Sequence, residues 1–116
     1  MSKSILRDKS YAFSIRIINM SKYLSDEKNE HVLRKQILRS GTAIGALVRE
    51  AGQAESNADF VHKLSVALKE AHETDYWLSL LKDTKYITEE MFRSIIADCE
   101  ELIKLLTSSI KTAKSK

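Results

Sequence analysis

Residues 37–52 read Ile-Leu-Arg-Ser-Gly-Thr-Ala-Ile-Gly-Ala-Leu-Val-Arg-Glu-Ala-Gly, and they hold all three glycines of the 116-residue chain. The apolar residues around these glycines keep a helical rhythm. A glycine inside a helix costs about 1 kcal/mol relative to alanine, so three in one helix need a contact in which a missing side chain is useful. We therefore predict that Gly41, Gly45 and Gly52 let another helix approach this backbone closely.

The helix predicted around this stretch, roughly Glu30 to Ala54, sorts its residues into neighbouring stripes with heptad spacing. The core stripe consists of Leu33, Ile37, Ser40, Ile44, Leu47 and Ala51. The small-residue stripe consists of Leu38, Gly41, Gly45, Val48 and Gly52, and a third, partly basic stripe consists of Lys35, Arg39, Thr42, Ala46 and Arg49. Two neighbouring apolar stripes on one helix indicate two packing partners.

Two later segments have the same helical periodicity. The third helix is predicted at roughly Asp59 to Lys82, after a Ser-x-x-Asp approximation of the capping box at 56–59. The fourth begins near Thr88, a good N-cap residue. Their predicted core positions are Phe60, Leu64, Ala67, Ala71, Thr74, Leu78 and Leu81 in the third helix, and Phe92, Ile96, Cys99, Ile103, Leu106 and Ile110 in the fourth. A basic, frayed tail is expected at about 111–116.

The first segment, roughly Asp8 to Leu24, also fits a strand, because apolar residues alternate with small or polar ones from Tyr11 to Ile17. Four apolar residues with 4,3,4 spacing favour a helix, and no second strand pattern is present to pair with a lone strand. These four are Phe13, Ile17, Met20 and Leu24. The predicted fold is therefore all-α, an antiparallel up-down-up-down four-helix bundle that forms one domain over residues 1–116.

Charge is distributed unevenly along the chain. The formal net charge is +3, but residues 1–49 carry +6, residues 50–101 carry −7 and residues 102–116 carry +4. Blocks of opposite sign can pair across the bundle, between subunits, or with an anionic partner. Of these alternatives, pairing of the charged blocks with one another is favoured.

The sequence lacks the patterns of the enzyme sites that a helical bundle can hold. A di-iron centre needs two Glu-x-x-His motifs, and the nearest match here is Asp-Phe-Val-His at 59–62, at a helix start. The three histidines have no serine or cysteine nucleophile beside them, and Cys99 falls in an apolar helical pattern. We expect no enzyme activity, no metal or other cofactor, and no small-molecule substrate.

Two acidic residues, Glu70 and Glu73, lie beside the core stripe of the third helix. Ion pairing with Arg39 or Arg49 of the second helix is one interpretation. The alternative is that this acidic edge meets the basic edge of a second subunit and sets the geometry of a ring. Tyr76 and Trp77 adjoin the edge and are candidates for the same interface, although Trp77 also fits a residue that covers the core.

Nucleic acid is a possible partner, because the sequence isoelectric point is near 9.0 and one helix carries a basic stripe. The candidate contact residues are Arg34, Lys35, Arg39, Arg49, Lys111, Lys114 and Lys116. No helix-turn-helix or other named binding module is present, so such binding would be tolerant of sequence and sensitive to salt.

The cellular compartment is predicted from the cysteine and the apolar runs. Cys99 is the single cysteine, so no disulfide can form within the chain, and a reducing cytoplasm fits best. The longest run without a charged residue, 40–48, is far shorter than the roughly 20 residues that span a membrane. The first nine residues lack the apolar stretch of a secretory signal. We expect a cytoplasmic protein without a membrane partner.

Three stretches of the chain resemble a known family. They are residues 36–51, residues 59–64, and residues 69–81, which include Lys69-Glu70-Ala71 and Glu73-Thr74-Asp75-Tyr76-Trp77-Leu78. These stretches are similar to the bacterial four-helix-bundle proteins that are encoded in intervening sequences of large-subunit ribosomal RNA genes. The resemblance spans nearly the whole chain and is specific in the second and third helices.

The resemblance implies self-association, because relatives in this family form homopentameric rings. A more distant relative, the accessory variability determinant of diversity-generating retroelements, binds nucleic acid and a reverse transcriptase. The first functional hypothesis is therefore a non-enzymatic scaffold or interaction module, a homopentamer formed through Gly41, Gly45, Gly52, Glu70, Glu73, Tyr76 and Trp77. The second is an accessory protein that binds RNA or DNA with a partner such as a reverse transcriptase. Replacing Gly45 with leucine is expected to disrupt helix packing, either within the bundle or between subunits.

Overall fold

Four long helices form because no proline interrupts the apolar periodicity and polar residues cap the helix starts. The computed structural model describes residues 2–116, with side chains from Ile5 onward. The helices are α1 (Ser2–Asp26), α2 (Leu33–Ala51), α3 (Asn57–Asp83) and α4 (Glu89–Lys114). The first segment is thus a helix, and the strand alternative is wrong.

The helices pack in the order of the chain around a square. α1 contacts α2, α2 contacts α3, α3 contacts α4, and α4 closes the square against α1. Over residues 2–116 the diagonal pairs, α1 with α3 and α2 with α4, do not pack on each other. Short turns make successive helices antiparallel, and the bundle measures 47 × 21 × 20 Å. The predicted up-down-up-down four-helix bundle is confirmed.

Side-chain caps define three of the helix starts. The Ser56 hydroxyl accepts a hydrogen bond from the Asp59 N–H at 3.0 Å, as the capping-box pattern predicts. The Thr88 hydroxyl accepts one from the Met91 N–H at 3.1 Å. At α2 the Glu30 carboxylate accepts from three backbone N–H groups, those of residues 32, 33 and 34. α2 therefore begins after Glu30, not at it, and ends at Ala51, before the predicted Ala54.

The core forms where the predicted apolar stripes of α1, α2 and α3 meet. The predicted core residues that the structure buries in these helices are Phe13, Ile17, Met20, Leu24, Ile37, Ser40, Ile44, Ala51, Leu64, Ala67, Ala71, Thr74, Leu78 and Leu81. Ser40 and Thr74 form a buried hydroxyl pair 2.9 Å apart, and Thr74 also donates to the Glu70 carbonyl at 2.8 Å. Their polar atoms are therefore satisfied inside the core.

In α4 the buried face is rotated from the predicted one. Ile95, Cys99, Leu102, Leu106 and Ala113 are buried. The predicted core residues Phe92, Ile96, Ile103 and Ile110 are only partly buried at its edge. The prediction was wrong about these four because α4 has apolar residues on two adjacent stripes, and the position of α3 and α1 decides which one faces inward. α4 also continues to Lys114, so most of the tail that was expected to fray is helical.

Candidate functional site

The two central glycines of α2 lie against α1 of the same chain. A Cβ atom added to Gly41 would lie 2.7 Å from Cγ1 and 2.9 Å from Cγ2 of Ile17. One added to Gly45 would lie 3.1 Å from Oγ of Ser14 and 3.2 Å from the carbonyl oxygen of Ser10. Both glycines therefore permit close packing inside the bundle. The sequence had left open whether these glycines pack inside the bundle or between subunits.

Gly52 does not share this role. It is exposed and follows the last residue of α2 as its C-cap, with φ −64° and ψ −17°. An added Cβ would lie 3.3 Å from the carbonyl oxygen of Arg49 on the same helix end, and among the described residues no atom of another helix lies within 4 Å of it. Among the described residues of the chain, Gly52 therefore has no close helix contact of the kind predicted, because heptad spacing continues past the point where the helix ends.

The acidic edge of α3 pairs with α2 inside one chain. Arg39 donates to both carboxylate oxygens of Glu70, at 3.1 and 3.2 Å, and to Glu73 at 2.5 Å. The indole N–H of Trp77 donates to the same Glu73 oxygen at 3.1 Å. The hydrogen bond from Trp77 and then the guanidinium of Arg39 lower the pKa of Glu73. The ion-pairing interpretation therefore holds for Arg39, while Arg49 takes no part.

An aromatic pair extends this edge to the surface. The ring of Tyr76 packs edge-on to Trp77, with centroids 5.1 Å apart and planes at 66°. Tyr76 is 57% exposed, more than any other large apolar residue of α3. We call Tyr76, Trp77 and Glu73 the α3 edge.

An exposed apolar surface on α1 was not predicted. Ile5, Tyr11, Ile15 and Ile18 are between 39% and 55% exposed. Their spacing places them on the side of α1 that faces away from the core residues Phe13 and Ile17. We call Ile5, Tyr11, Ile15 and Ile18 the α1 face. The strand-like alternation from Tyr11 to Ile17 was its signal in the sequence, since it reflects apolar residues on both sides of one helix.

A cleft opens at one end of the bundle, where the start of α1, the end of α2, the start of α3 and the end of α4 meet. Its volume is about 620 Å³. The lining residues are Leu6, Arg7, Val48, Arg49, Gly52, Gln53, Asn57, Phe60, Leu64, Ser108, Ser109, Thr112, Ala113 and Lys116. We call it the end cleft.

The basic candidate residues do not form a single patch. Arg34 and Lys35 lie at the start of α2, whereas Arg49 lies at its end, about 22 Å away along the helix axis. Lys111, Lys114 and Lys116 lie at the end of α4, which is the same end of the bundle as Arg49. Arg39 is already paired with two carboxylates.

The charge blocks also pair between α1 and α4, through Lys9–Glu101 at 3.2 Å and Arg16–Asp98 at 2.8 Å.

The reactive side chains offer no assembled chemistry in residues 5–116. Cys99 is buried and its thiol donates to the Ala71 carbonyl at 3.4 Å. Burial, with a smaller effect from Asp75 and Glu100, raises the pKa of this thiol to about 12, so it is not a thiolate at neutral pH. In that part of the chain, no three His, Cys, Asp or Glu side chains converge on a possible metal position.

The length and apolar content of the helices decide whether any of them could cross a membrane. None of the four helices, as far as the structure describes them, has the length and apolar content that crossing a bilayer requires.

The fold defines a class of protein, a small all-α bundle of four antiparallel helices. The family model for the 23S rRNA-intervening sequence protein matches residues 2–108, and the chain belongs to this family. The resemblance seen in the sequence is thereby confirmed.

A solved structure is similar over almost the full length. It is the crystal structure of a protein with unknown function from the S23 ribosomal protein family of Bacteroides thetaiotaomicron. The two chains are 56% identical, and the match covers 96% of this chain and 99% of that chain, with a TM-score of 0.95. No curated protein matches this chain. Neither match points to a catalytic family.

Proposed function

We propose that this protein is a non-enzymatic interaction module that self-associates head to tail, with the α1 face of one copy against the α3 edge of the next. The observation that carries the proposal is the placement of exposed large apolar residues. Four of them lie on α1, and Tyr76 lies on α3. Exposed apolar clusters of this kind mark contact surfaces in proteins that otherwise have polar exteriors.

The two surfaces are different parts of the chain, on helices that stand diagonally across the bundle. Contact between different surfaces is heterologous, and heterologous contacts produce a ring when the rotation closes. The helix charges are of opposite sign, since α1 carries a formal net charge of +3 and α3 one of −2. The subunit number of five rests on the resemblance to relatives that form pentameric rings.

The oligomeric state tests this proposal. Sedimentation equilibrium at micromolar concentration should give a mass near five times the 13.2 kDa of the chain. Replacing Ile15 with lysine places a charge in the α1 face and should reduce the mass toward that of one chain. Val32→Lys is the matched control, because Val32 is 71% exposed but lies in the turn before α2. A monomeric native chain, or equal effects of both variants, would refute the proposal.

Nucleic-acid binding in support of a partner such as a reverse transcriptase is the second candidate. It is supported by the gathering of Arg7, Arg49 and Lys116 at one end of the bundle, with Lys111 and Lys114 on the same helix end. Titration of labelled RNA and DNA at low and high salt tests it. Binding should be independent of sequence and weaken steeply with salt, and no binding at low salt would rule it out.

A further inference from the structure

The end cleft has the dimensions of a small-molecule site. Its volume of about 620 Å³ lies within the range of roughly 300–1,000 Å³ that is typical of ligand pockets. All four helices contribute to the wall, so the cleft exists only in the folded bundle. No residue of the α1 face or the α3 edge lines the cleft, although Tyr11 of the α1 face contacts Arg49, so the self-association proposed above does not explain it.

The charge of the lining is one-sided. Arg7, Arg49 and Lys116 line the cleft, and none of its described lining residues is an aspartate or glutamate. Among residues 5–116, neither Arg7 nor Arg49 forms an ion pair, in contrast to Arg16 and Arg39. The guanidinium of Arg49 stacks on the Tyr11 ring at 5.2 Å from its centroid, which positions the group and leaves its N–H donors available.

The rest of the lining is partly apolar and partly polar. Its apolar residues are Leu6, Val48, Phe60, Leu64 and Ala113, and its polar residues are Gln53, Asn57, Ser108, Ser109 and Thr112. A ligand that fits this lining has a flat apolar part, several hydrogen-bonding groups and a concentrated negative charge. An acyl chain would not use the polar residues, whereas a nucleotide has all three features.

We propose that the end cleft binds an organic phosphate of nucleotide size, with the guanidinium groups of Arg7 and Arg49 on the phosphate and the base against the apolar lining residues such as Phe60. Arginine suits this task because its planar fork of N–H donors matches the geometry of phosphate oxygens. The phosphate belongs either to a free nucleotide or to the phosphorylated end of a single strand. The inference goes beyond self-association and gives the second candidate function a defined place.

Calorimetric titration of the full chain with adenosine monophosphate at low salt tests the inference. Arg7→Gln and Arg49→Gln should each weaken binding about tenfold, which is the effect of losing one charge-assisted contact of about 1.4 kcal/mol. Lys28→Gln is the control, because it removes the same charge from an exposed position in the turn between α1 and α2, at the other end of the bundle. Sedimentation of each variant shows whether its oligomeric state is unchanged, so a failure of self-association is seen separately.

Further ligands identify the source of the phosphate. Binding of adenosine monophosphate but not of adenosine supports the inference and identifies a free nucleotide as the source of the phosphate. Binding of only a 5′-phosphorylated triadenylate, and not of its 5′-hydroxyl counterpart, supports it with a strand end. The inference is overturned if neither adenosine monophosphate nor the 5′-phosphorylated triadenylate binds, or if adenosine or dodecyl phosphate binds as well as the nucleotide. It is also overturned if Lys28→Gln weakens binding as much as the arginine variants. Equal binding of both triadenylates also overturns it, but leaves general nucleic-acid binding intact.

Discussion

At the scale of single residues, Gly41 and Gly45 show what a missing side chain does in this bundle. Both lie where α2 meets α1, and Gly41 faces the branched side chain of Ile17. A helix gains about 1 kcal/mol from alanine in place of glycine, while an extra methyl group in a packed core costs about 1–3 kcal/mol. For Gly41 the steric term is the larger one, because the nearest atoms include both branches of the Ile17 Cβ.

We expect Gly41→Ala to lower the free energy of unfolding by up to about 2 kcal/mol, measured by urea denaturation. Gly52→Ala is the control and should change stability less than Gly41→Ala, because its backbone has a negative φ and the added Cβ meets only the Arg49 carbonyl oxygen, at 3.3 Å, among the described residues. The double variant Gly41→Ala, Ile17→Ala should lose less stability than the sum of the two single changes, since the smaller side chain makes room. Stabilisation by Gly41→Ala alone would contradict the close contact.

At the scale of the helices, Glu30 shows how a side chain sets the start of an element. Its carboxylate accepts from the N–H groups of Val32, Leu33 and Arg34, at 3.1, 3.0 and 2.8 Å. These groups have no partner inside the helix, since they belong to its first turn. Burial acts to raise the pKa of Glu30, but the hydrogen bonds from Leu33, Arg34 and Val32 together outweigh it, and the pKa is lowered.

A lowered pKa makes the stabilisation by Glu30 depend on pH. The contribution is present in full above the usual carboxyl pKa of 4.5 and is lost as the pH falls through the lowered pKa of the folded state. Glu30→Gln should therefore reduce stability by about 1 kcal/mol at pH 7 and by much less at pH 3, in urea denaturation at each pH. Glu27→Gln, at an exposed position near the same turn, should show no such pH-dependent loss. An equal loss by Glu30→Gln at both pH values would contradict this role of the carboxylate.

At the scale of the whole molecule, mixing two variants that are damaged on different surfaces restores an intersubunit contact if the contact is head to tail. It restores none if the contact is two-fold. Each subunit offers two separate surfaces, the α1 face and the α3 edge. A variant with one damaged surface keeps the other one intact. Two variants that are damaged on opposite surfaces therefore still share one intact contact between them.

We expect Ile15→Lys and Tyr76→Lys to be monomeric when separate and to form a dimer of about twice 13.2 kDa when mixed in equal amounts. The dimer joins the α1 face of the Tyr76 variant to the α3 edge of the Ile15 variant, and it cannot grow further because the remaining surfaces are damaged. Sedimentation velocity of the mixture measures this. If the contact were instead between two α1 faces, the Tyr76 variant would associate by itself and mixing would add nothing.

The sequence by itself determined the helices, their number and the order in which they pack. Apolar spacing identifies the buried stripes of α1, α2 and α3, since a 3.6-residue period places those residues on one side of a helix whatever its neighbours are. The capping residues Ser56 and Thr88 also act locally, so their roles were predicted correctly. The two close-packed glycines were recognised from their cost in a helix.

Only the tertiary structure decided what each surface contacts. It assigned Gly41 and Gly45 to α1, paired Arg39 with Glu70 and Glu73 inside one chain, and chose Leu102 over Ile103 for the core of α4. It also brought Arg7 and Arg49 to one cleft, although they lie far apart in the sequence. The physical reason is that periodicity defines a face of one helix, whereas the partner of that face depends on how four helices are rotated and offset when their apolar stripes pack together.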